Sequence, residues 1–173
     1  MANSFQVVSG RVEVLAKSSI HDTKTVWSEL GGTIELDVER MRADGVTEVE
    51  ASADIDVDMT AFDAGDWLKN RKLKKDLAVA KHPQAKFALG ALNQIERGDG
   101  DSFNAAATGT LSWRGRSCQI EASGSGTVTE DRVEATATFT LNVTELGVTP
   151  PKVLMFKVED TVEVTVHLSA KPR

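Results

Sequence analysis

Apolar and polar residues alternate along the chain from Glu48 to Met59. Every second residue is valine, alanine, isoleucine or methionine, and the residues between them are serine or acidic. Successive side chains of a β-strand point to opposite faces of its sheet, so this stretch predicts a long strand with one buried face and one solvated face. Strands of this kind occur in large antiparallel sheets and barrels.

Similar alternation recurs through most of the chain, between turn signals such as Asp44-Gly45 and Arg114-Gly115-Arg116. The apolar positions that are predicted to face inward are Val12, Val14 and Ala16, then Ile34, Leu36 and Val38, then Phe87 and Leu89, and every second residue of 103–113, 118–126, 133–143 and 162–168. We predict an all-β fold, an eight-stranded antiparallel barrel, because closing the sheet removes its exposed edges. A two-sheet sandwich is the alternative, since periodicity does not separate the two architectures.

A break in the alternation predicts a short helical insertion, at about residues 63–81, that caps one end of the barrel. Asp63 is expected to be the N-cap of this helix. The helix is expected to end before Pro83, because the residue that precedes a proline avoids the α-helical region. The apolar residues of the insertion that are expected to face the core are Trp67, Leu68 and Leu77.

Many residues on the predicted inner face are small, and they are Ala51, Ala53, Ala105, Ala107, Gly109, Ala122, Gly124, Gly126, Ala135 and Ala137. A barrel lined in this way is narrow, is filled by large side chains, or holds a ligand. A ligand there would be a hydrocarbon chain, stabilised by roughly 0.8 kcal/mol per buried CH₂. The residues that we expect to line its path are Trp27, Ala53, Ile55, Trp67, Phe87, Trp113, Phe139 and Leu141. A filled core is the alternative.

The predicted helix carries a basic cluster, which is unusual in a chain with a net charge of −6. If the helix lies at the mouth of the barrel, Lys69, Arg71 and Lys72 are candidates to hold an anionic head group, with arginine offering two hydrogen bonds to a phosphate. Lys74 and Lys75 extend the cluster. The alternative is an ordinary solvated helix face.

Composition narrows the function classes. A chain of 173 residues with 40% hydrophobic and 27% charged residues is typical of a soluble globular protein, and we expect one domain over residues 1–173. The acidic balance argues against a general nucleic-acid binder, which would carry a basic field. A single cysteine, Cys118, leaves no internal disulfide. No signal peptide or membrane span is recognised, so we expect a cytoplasmic protein, or a periplasmic one if a signal peptide has been removed.

No sequence motif of a known catalytic or metal site is recognised. The histidines, His21, His82 and His167, are scattered, and Cys118 is expected to point inward and to be inert. Asp54, Asp56 and Asp58 begin like a calcium-binding loop, but the glycine and the glutamate that such a loop requires are missing. We expect no enzyme, no cofactor and no metal. An enzyme that acts on a lipid-like substrate, and a cavity-free barrel that binds proteins through its acidic outer face, are the alternatives.

The order of several stretches resembles that of a known family. These stretches are Trp27-x3-Gly31-Gly32-Thr33-Ile34, then Ile55 to Met59 followed by the helical insertion and His82-Pro83-x3-Phe87, then Gly109-Thr110-Leu111-Ser112-Trp113-Arg114-Gly115, and finally Phe139-x-Leu-x-Val-x-x-x-Gly147 with Val158-Glu159-Asp160-x-Val162. They are similar to the YceI-like family of lipocalin-like barrels, which are associated with binding polyisoprenoids and other long lipids. The resemblance implies non-catalytic binding or transport of a long-chain lipid or isoprenoid, and it leaves a homodimer open.

The chain departs from that family in the helical insertion. Relatives often carry Arg-Asp-x-His-Leu there, whereas this chain reads Lys69-Asn70-Arg71-Lys72-Leu73. The acid and the histidine are absent and basic residues are added, so a head-group contact at these positions is not carried over from the family. Many relatives are exported to the periplasm, and that location is not carried over either.

Overall fold

The computed structural model describes residues 2–18, 22–148, 152–153 and 156–173, so the prediction for His21 lies outside the described residues. The strands are β1 (Asn3–Ser18), β2 (Thr23–Trp27), β3 (Leu30–Leu36), β4 (Ala51–Asp58), β5 (Phe62–Asp63), β6 (Gln84–Arg97), β7 (Ser102–Trp113), β8 (Arg116–Val128), β9 (Val133–Asn142), β10 (Lys152–Val153) and β11 (Phe156–Pro172). The helices are α1 (Val38–Met41), α2 (Trp67–Asp76) and a 3-10 helix (Val143–Leu146).

The sheet closes on itself. Across the described residues the strands pair antiparallel in the order β11, β9, β8, β7, β6, β4, β3 and β1, and β1 pairs again with β11. β2 and β3 pair with successive halves of β1 in one continuous register, so they form a single strand of the wall that is broken at Ser28 and Glu29. The predicted eight-stranded antiparallel barrel is confirmed, and closure excludes the sandwich.

The alternation that predicted β4 is also confirmed. Ala51, Ala53 and Ile55 are buried, whereas Ser52 and Asp54 are exposed. The regular strand is shorter than the pattern indicated, since it covers Ala51–Asp58 and only an isolated bridge between Val49 and Leu92 extends it. The polar row of β4 therefore faces solvent, as a half-buried strand requires.

Asp44-Gly45 lies in a turn as predicted, but the connection between β3 and β4 is longer than a tight hairpin and contains α1. α1 follows β3 directly, and its N-cap Asp37 accepts a hydrogen bond from the backbone N–H of Arg40 at 3.0 Å. Val38 and Met41 are buried, at 0% and 4% exposure. α1 thereby plugs one end of the barrel, which a two-residue turn would leave open.

The helical insertion lies where it was predicted, but its boundary and its orientation differ. The N-cap is Asp66, whose carboxylate accepts from the backbone N–H of Lys69 at 2.8 Å, and not Asp63, which accepts instead from the backbone N–H of Gly65 at 2.9 Å. The expectation that Trp67 and Leu68 face the core is wrong, since both are exposed. The inner face of α2 carries Asn70 and Leu73, and buried Leu77 follows at the C-cap, a three- and four-residue spacing that suits a helix lying on a core.

Candidate functional site

A cavity of about 420 Å³ occupies the barrel interior. Its lining comes from every strand of the closed wall and from the caps at both ends, and it is almost wholly apolar. The polar residues at its boundary are Thr25, Ser125, Glu134 and Thr136. The carboxylate of Glu134 is half exposed and pairs with Arg132 at 2.8 Å, so that charge is held at the outer surface. The interior is therefore suited to a hydrocarbon and offers little to a charged ligand.

Two packed clusters close the ends of this cavity. One lies around α1 and includes Phe5 and Val38, both fully buried. The other lies beneath α2 and includes Trp27, Trp113 and Val79. α2 itself has no buried residue, and Leu73 on its inner face is partly exposed. The end beneath α2 is thus the more loosely covered of the two, and we refer to it as the mouth.

The small inward residues leave the middle of the barrel open. Ala105 and Ala107 of β7 and Ala135 and Ala137 of β9 all line the cavity, yet each is only partly buried. Since their side chains face inward, the surface that stays accessible is turned toward the cavity and not toward the outside. Apolar surface of this kind is stabilised when a ligand covers it.

Gly109 is a small inward position that is covered by a side chain of the same wall. A β-carbon at Gly109 would lie 2.6 Å from the ring of Phe87, so this ring lies across the glycine on the inner face. Phe87 itself lines the cavity. The ring therefore occupies the space that a side chain at position 109 would fill.

The structure brings together most of the residues that were expected to line the cavity. The expected residues that do line the cavity are Trp27, Ala53, Ile55, Phe87, Trp113, Phe139 and Leu141. Trp67 does not, because it lies on the outer face of α2 with 71% of its surface exposed. Lys69, Arg71 and Lys72 lie at the mouth on the same helix, and their side chains are exposed.

Sequence reasoning missed most of the lining that comes from the caps, although it did expect Leu77 to face the core. Leu73 and Leu77 of the α2 segment, Leu146 and Val148 around the 3-10 helix, and Met41 of α1 all contact the cavity. The spacing of Leu73 and Leu77, four residues apart, was the available signal, since residues so spaced share one face of a helix. No comparable signal marks the other three, which lie in connections.

The wall is incomplete near the mouth. β8 and β9 pair only between Ser123–Val128 and Val133–Thr138, although both strands continue beyond that ladder. Ile120 lies on the part of β8 that does not pair with β9, and Leu141 lies on the part of β9 that does not pair with β8. Both residues line the cavity. The 3-10 helix packs beside β8 at this point. The divergence widens the barrel toward the mouth, where the wall is closed by a short helix and not by a hydrogen-bonded ladder.

Two tryptophans anchor the mouth through their indole N–H groups. Trp113 donates to the carbonyl of His82 at 2.9 Å, and Trp27 donates to the carbonyl of Met59 at 3.3 Å. A buried indole requires such a partner, and these partners lie in the segments that lead into and out of α2. The rings therefore fix the ends of the helical insertion while their apolar faces line the cavity.

Arg114 links the helical cap to the wall. It lies in the β7–β8 turn with a φ of 57°, and Gly115 beside it has a φ of 73°, as a two-residue hairpin turn requires. Its guanidinium donates to the carbonyl of Leu77 at 2.6 Å and to the carbonyl of Gly147 at 3.4 Å. One side chain thus connects the end of α2, the end of the 3-10 helix and a barrel hairpin.

Replacing Arg114 with methionine is expected to lower the free energy of unfolding by about 2 kcal/mol, because hydrogen bonds from a charged donor are lost. Amide hydrogen exchange across residues 77–81 is expected to accelerate more than exchange in β7. Arg114→Lys is the matched control, since it keeps the positive charge but loses the guanidinium, which can donate to two carbonyls at once. Its loss of stability should be smaller than that of Arg114→Met. Unchanged exchange at 77–81 in Arg114→Met would show that the guanidinium does not hold the cap.

Three titratable groups of the barrel have shifted pKa values, the Cys118 thiol and the carboxyls of Glu13 and Asp58. Burial raises the pKa of the Cys118 thiol, and the nearby charge of Glu145 raises it further, so the thiol is protonated at neutral pH. The pKa of Glu13 is lowered by its hydrogen bond from Arg11, and the pKa of Asp58 by hydrogen bonds from the side chain and the backbone of Thr60. These carboxylates lie outside the cavity lining and are stabilised as anions.

His167 lies on the outer face of the barrel. Its Nδ1 lies 3.1 Å from the hydroxyl of Thr136, and its Nε2 lies 3.8 Å from a carboxylate oxygen of Glu13 on the outer surface. Within the residues that the structure describes, no group of histidine, cysteine and acidic side chains is arranged to hold a metal ion. A search of the same residues finds no helix with the length and apolar character needed to cross a bilayer.

Comparisons with known proteins agree with this geometry. The model of the YceI-like domain matches residues 3–170. BcnA of Burkholderia cenocepacia is 20% identical, with a TM-score of 0.72 over 94% of this chain and 96% of that one. A polyisoprenoid-binding domain of Saccharophagus degradans, implicated in plant cell wall breakdown, is 10% identical, with a TM-score of 0.73 over 99% of both chains. A comparison with curated proteins finds no match.

The Campylobacter jejuni YceI protein is a further structural relative, 14% identical with a TM-score of 0.62 over 86% of this chain and 84% of that one. At these identities the structural similarities establish the fold. The domain match spans almost the whole sequence, from the start of β1 into the last residues of β11. This chain therefore belongs to the family of YceI-like domains.

Proposed function

We propose that this protein binds and carries a long apolar chain, a polyisoprenoid or a similar lipid, inside its barrel without changing it chemically. The observation that carries the proposal is the apolar cavity of about 420 Å³ whose inward alanines keep accessible surface. Pockets of this size and character are typical of small-molecule sites. The polyisoprenoid-binding domain of Saccharophagus degradans shares the fold of this chain, and this similarity supports the choice of ligand class.

The cavity volume bounds the length of chain that it encloses. A methylene group is similar in size to a water molecule, which takes roughly 30 Å³, so the cavity accommodates on the order of fifteen carbons. A longer isoprenoid would keep its remaining units at the mouth, beneath α2 and beside the divergence of β8 and β9. A polar end group would then lie outside the apolar interior, where it keeps its hydration.

A series of prenols of increasing length tests the proposal. Calorimetric titration with geraniol, farnesol and geranylgeraniol is expected to show affinity that increases with length, by up to about fourfold for each carbon buried, and then levels off when the cavity is full. Native mass spectrometry of protein purified from its source should show a bound lipid of matching mass. Absence of a bound lipid, together with prenol affinities that do not depend on length, would contradict the proposal.

A further inference from the structure

The first turn of α2 presents two large apolar side chains to the outside. Trp67 is 71% exposed and Leu68 is 68% exposed. Among the residues whose side-chain burial is described, which leave out 149–159, the other exposed large apolar side chain is Val8 of β1, on a strand segment that belongs to the opposite end of the barrel. A tryptophan and a leucine that are adjacent, exposed and followed by cations on the same helix are typical of surfaces that lie in the interface of a bilayer.

The charge of α2 complements an anionic surface. The helix carries five cations and one acid, whereas the net charge of the chain is −6. Of these cations, Lys69 alone is in an ion pair within the described part of the chain, with Asp66 at 3.9 Å. The guanidinium of Arg71 lies 5.5 Å from the ring centroid of Trp67. The apolar and the cationic groups therefore share one surface, which we define as the α2 outer face.

The inner face of the same helix covers the cavity, because Leu73 and Leu77 line it. We propose that the α2 outer face docks on an anionic lipid bilayer, with Trp67 and Leu68 inserted among the head groups and Arg71 and Lys72 bound to lipid phosphates. Docking in this orientation turns the mouth of the barrel toward the bilayer. Docking does not require a ligand in the cavity. Direct exchange of an apolar chain between the bilayer and the cavity, in contrast, rests on the proposed function.

Sedimentation with lipid vesicles tests the docking. The protein is expected to sediment with vesicles of equal parts phosphatidylglycerol and phosphatidylcholine, to bind far less to phosphatidylcholine alone, and to dissociate as salt is raised. The double variant Arg71→Gln/Lys72→Gln should partition roughly 30-fold less, at about fivefold per cation removed. Lys171→Gln/Arg173→Gln is the matched control, because it removes two exposed cations from the end of the barrel that lies away from α2.

Tryptophan fluorescence gives a second measurement on the same vesicles. Trp27 and Trp113 are buried, so a blue shift on adding anionic vesicles reports mainly on Trp67. The double variant Trp67→Ala/Leu68→Ala is expected to lose both the shift and most of the sedimentation, whereas Val8→Ala should keep both. Wild-type protein that stays in solution, or that sediments as well after Arg71→Gln/Lys72→Gln, would overturn the proposal.

Two further outcomes distinguish membrane docking from dimerisation through the α2 outer face and from prenol binding in the cavity. Concentration-dependent dimers that disappear in Trp67→Ala/Leu68→Ala, without vesicle binding, would show that a second copy of the chain covers the α2 outer face and would overturn docking. Farnesol binding in solution should be unchanged in Trp67→Ala/Leu68→Ala, since both side chains are exposed and neither lines the cavity. If vesicle docking holds while no prenol binds, the docking proposal stands and the proposed function fails alone.

Discussion

Replacing Ala137 with phenylalanine is expected to weaken farnesol binding by at least about 100-fold while the barrel stays folded. Ala137 lies in β9 and lines the cavity, and its neighbours on the adjacent strands are Gly124 and Val166. A phenyl ring at this point projects into the open middle of the barrel. It takes the place of roughly five ligand carbons, each worth about 0.8 kcal/mol of transfer free energy.

Thr138→Phe is the matched control for this variant. Thr138 is the next residue of β9, and it is exposed on the outer face. The phenyl ring added at this position therefore leaves the cavity volume unchanged. Farnesol should bind to Thr138→Phe with the wild-type dissociation constant. Calorimetric titration measures both variants, and circular dichroism verifies their fold. Wild-type affinity in Ala137→Phe would show that the prenol binds outside the barrel.

Replacing Gly32 with alanine is expected to cause the largest loss of stability, about 3 kcal/mol or more. Gly32 has a φ of 129°, a region that L side chains rarely adopt, and a β-carbon there would lie 2.0 Å from the carbonyl oxygen of Asp54. The backbone of β4 passes too close to β3 at this point for any side chain. Relief requires the two strands to separate, which breaks their ladder. Thermal unfolding should show a midpoint lower by roughly 6–12 °C.

Gly31→Ala provides the comparison within the same strand. A β-carbon at Gly31 meets no other atom of the described residues within 4 Å, and its φ lies outside the left-handed range. This variant should unfold within about 0.5 kcal/mol of the wild type, as surface substitutions usually do. Equal destabilisation by the two variants would mean that loss of glycine flexibility, and not the close approach to Asp54, sets the cost.

The inward and outward faces of the barrel could be read from the sequence because a strand has a period of two. Ala51, Ala105 and Ala137 all face the cavity as the alternation predicted. One apolar face shared by many strands also favours closure. Whether the interior is filled or open could not be read in this way, since it depends on how all the inward volumes add up in three dimensions.

The helical cap was the least predictable part of the site. Trp67 and Leu68 are the most apolar residues in the first turn of α2, and hydrophobicity alone places them in the core. The contacts that decide the rotation of α2 instead come from Leu73 and Leu77, which pack toward the cavity. Asp63 and Asp66 are both suitable N-caps, so tertiary packing selects between them. The alternation gives no sign that β8 and β9 diverge, because Leu141 faces inward whether or not β8 pairs with β9 beside it.

The pairing of β1 with β11 has a consequence for how the barrel is assembled. This ladder joins Phe5 to Pro172, so β11 at the C-terminal side of the domain is a direct neighbour of β1 at its N-terminal side. Contacts between residues so distant in sequence form late, because a long loop must be ordered before they stabilise the fold. Until they form, β1 presents an unpaired edge to other chains. Folding of this protein should therefore be slow for its size and sensitive to concentration until that final ladder closes.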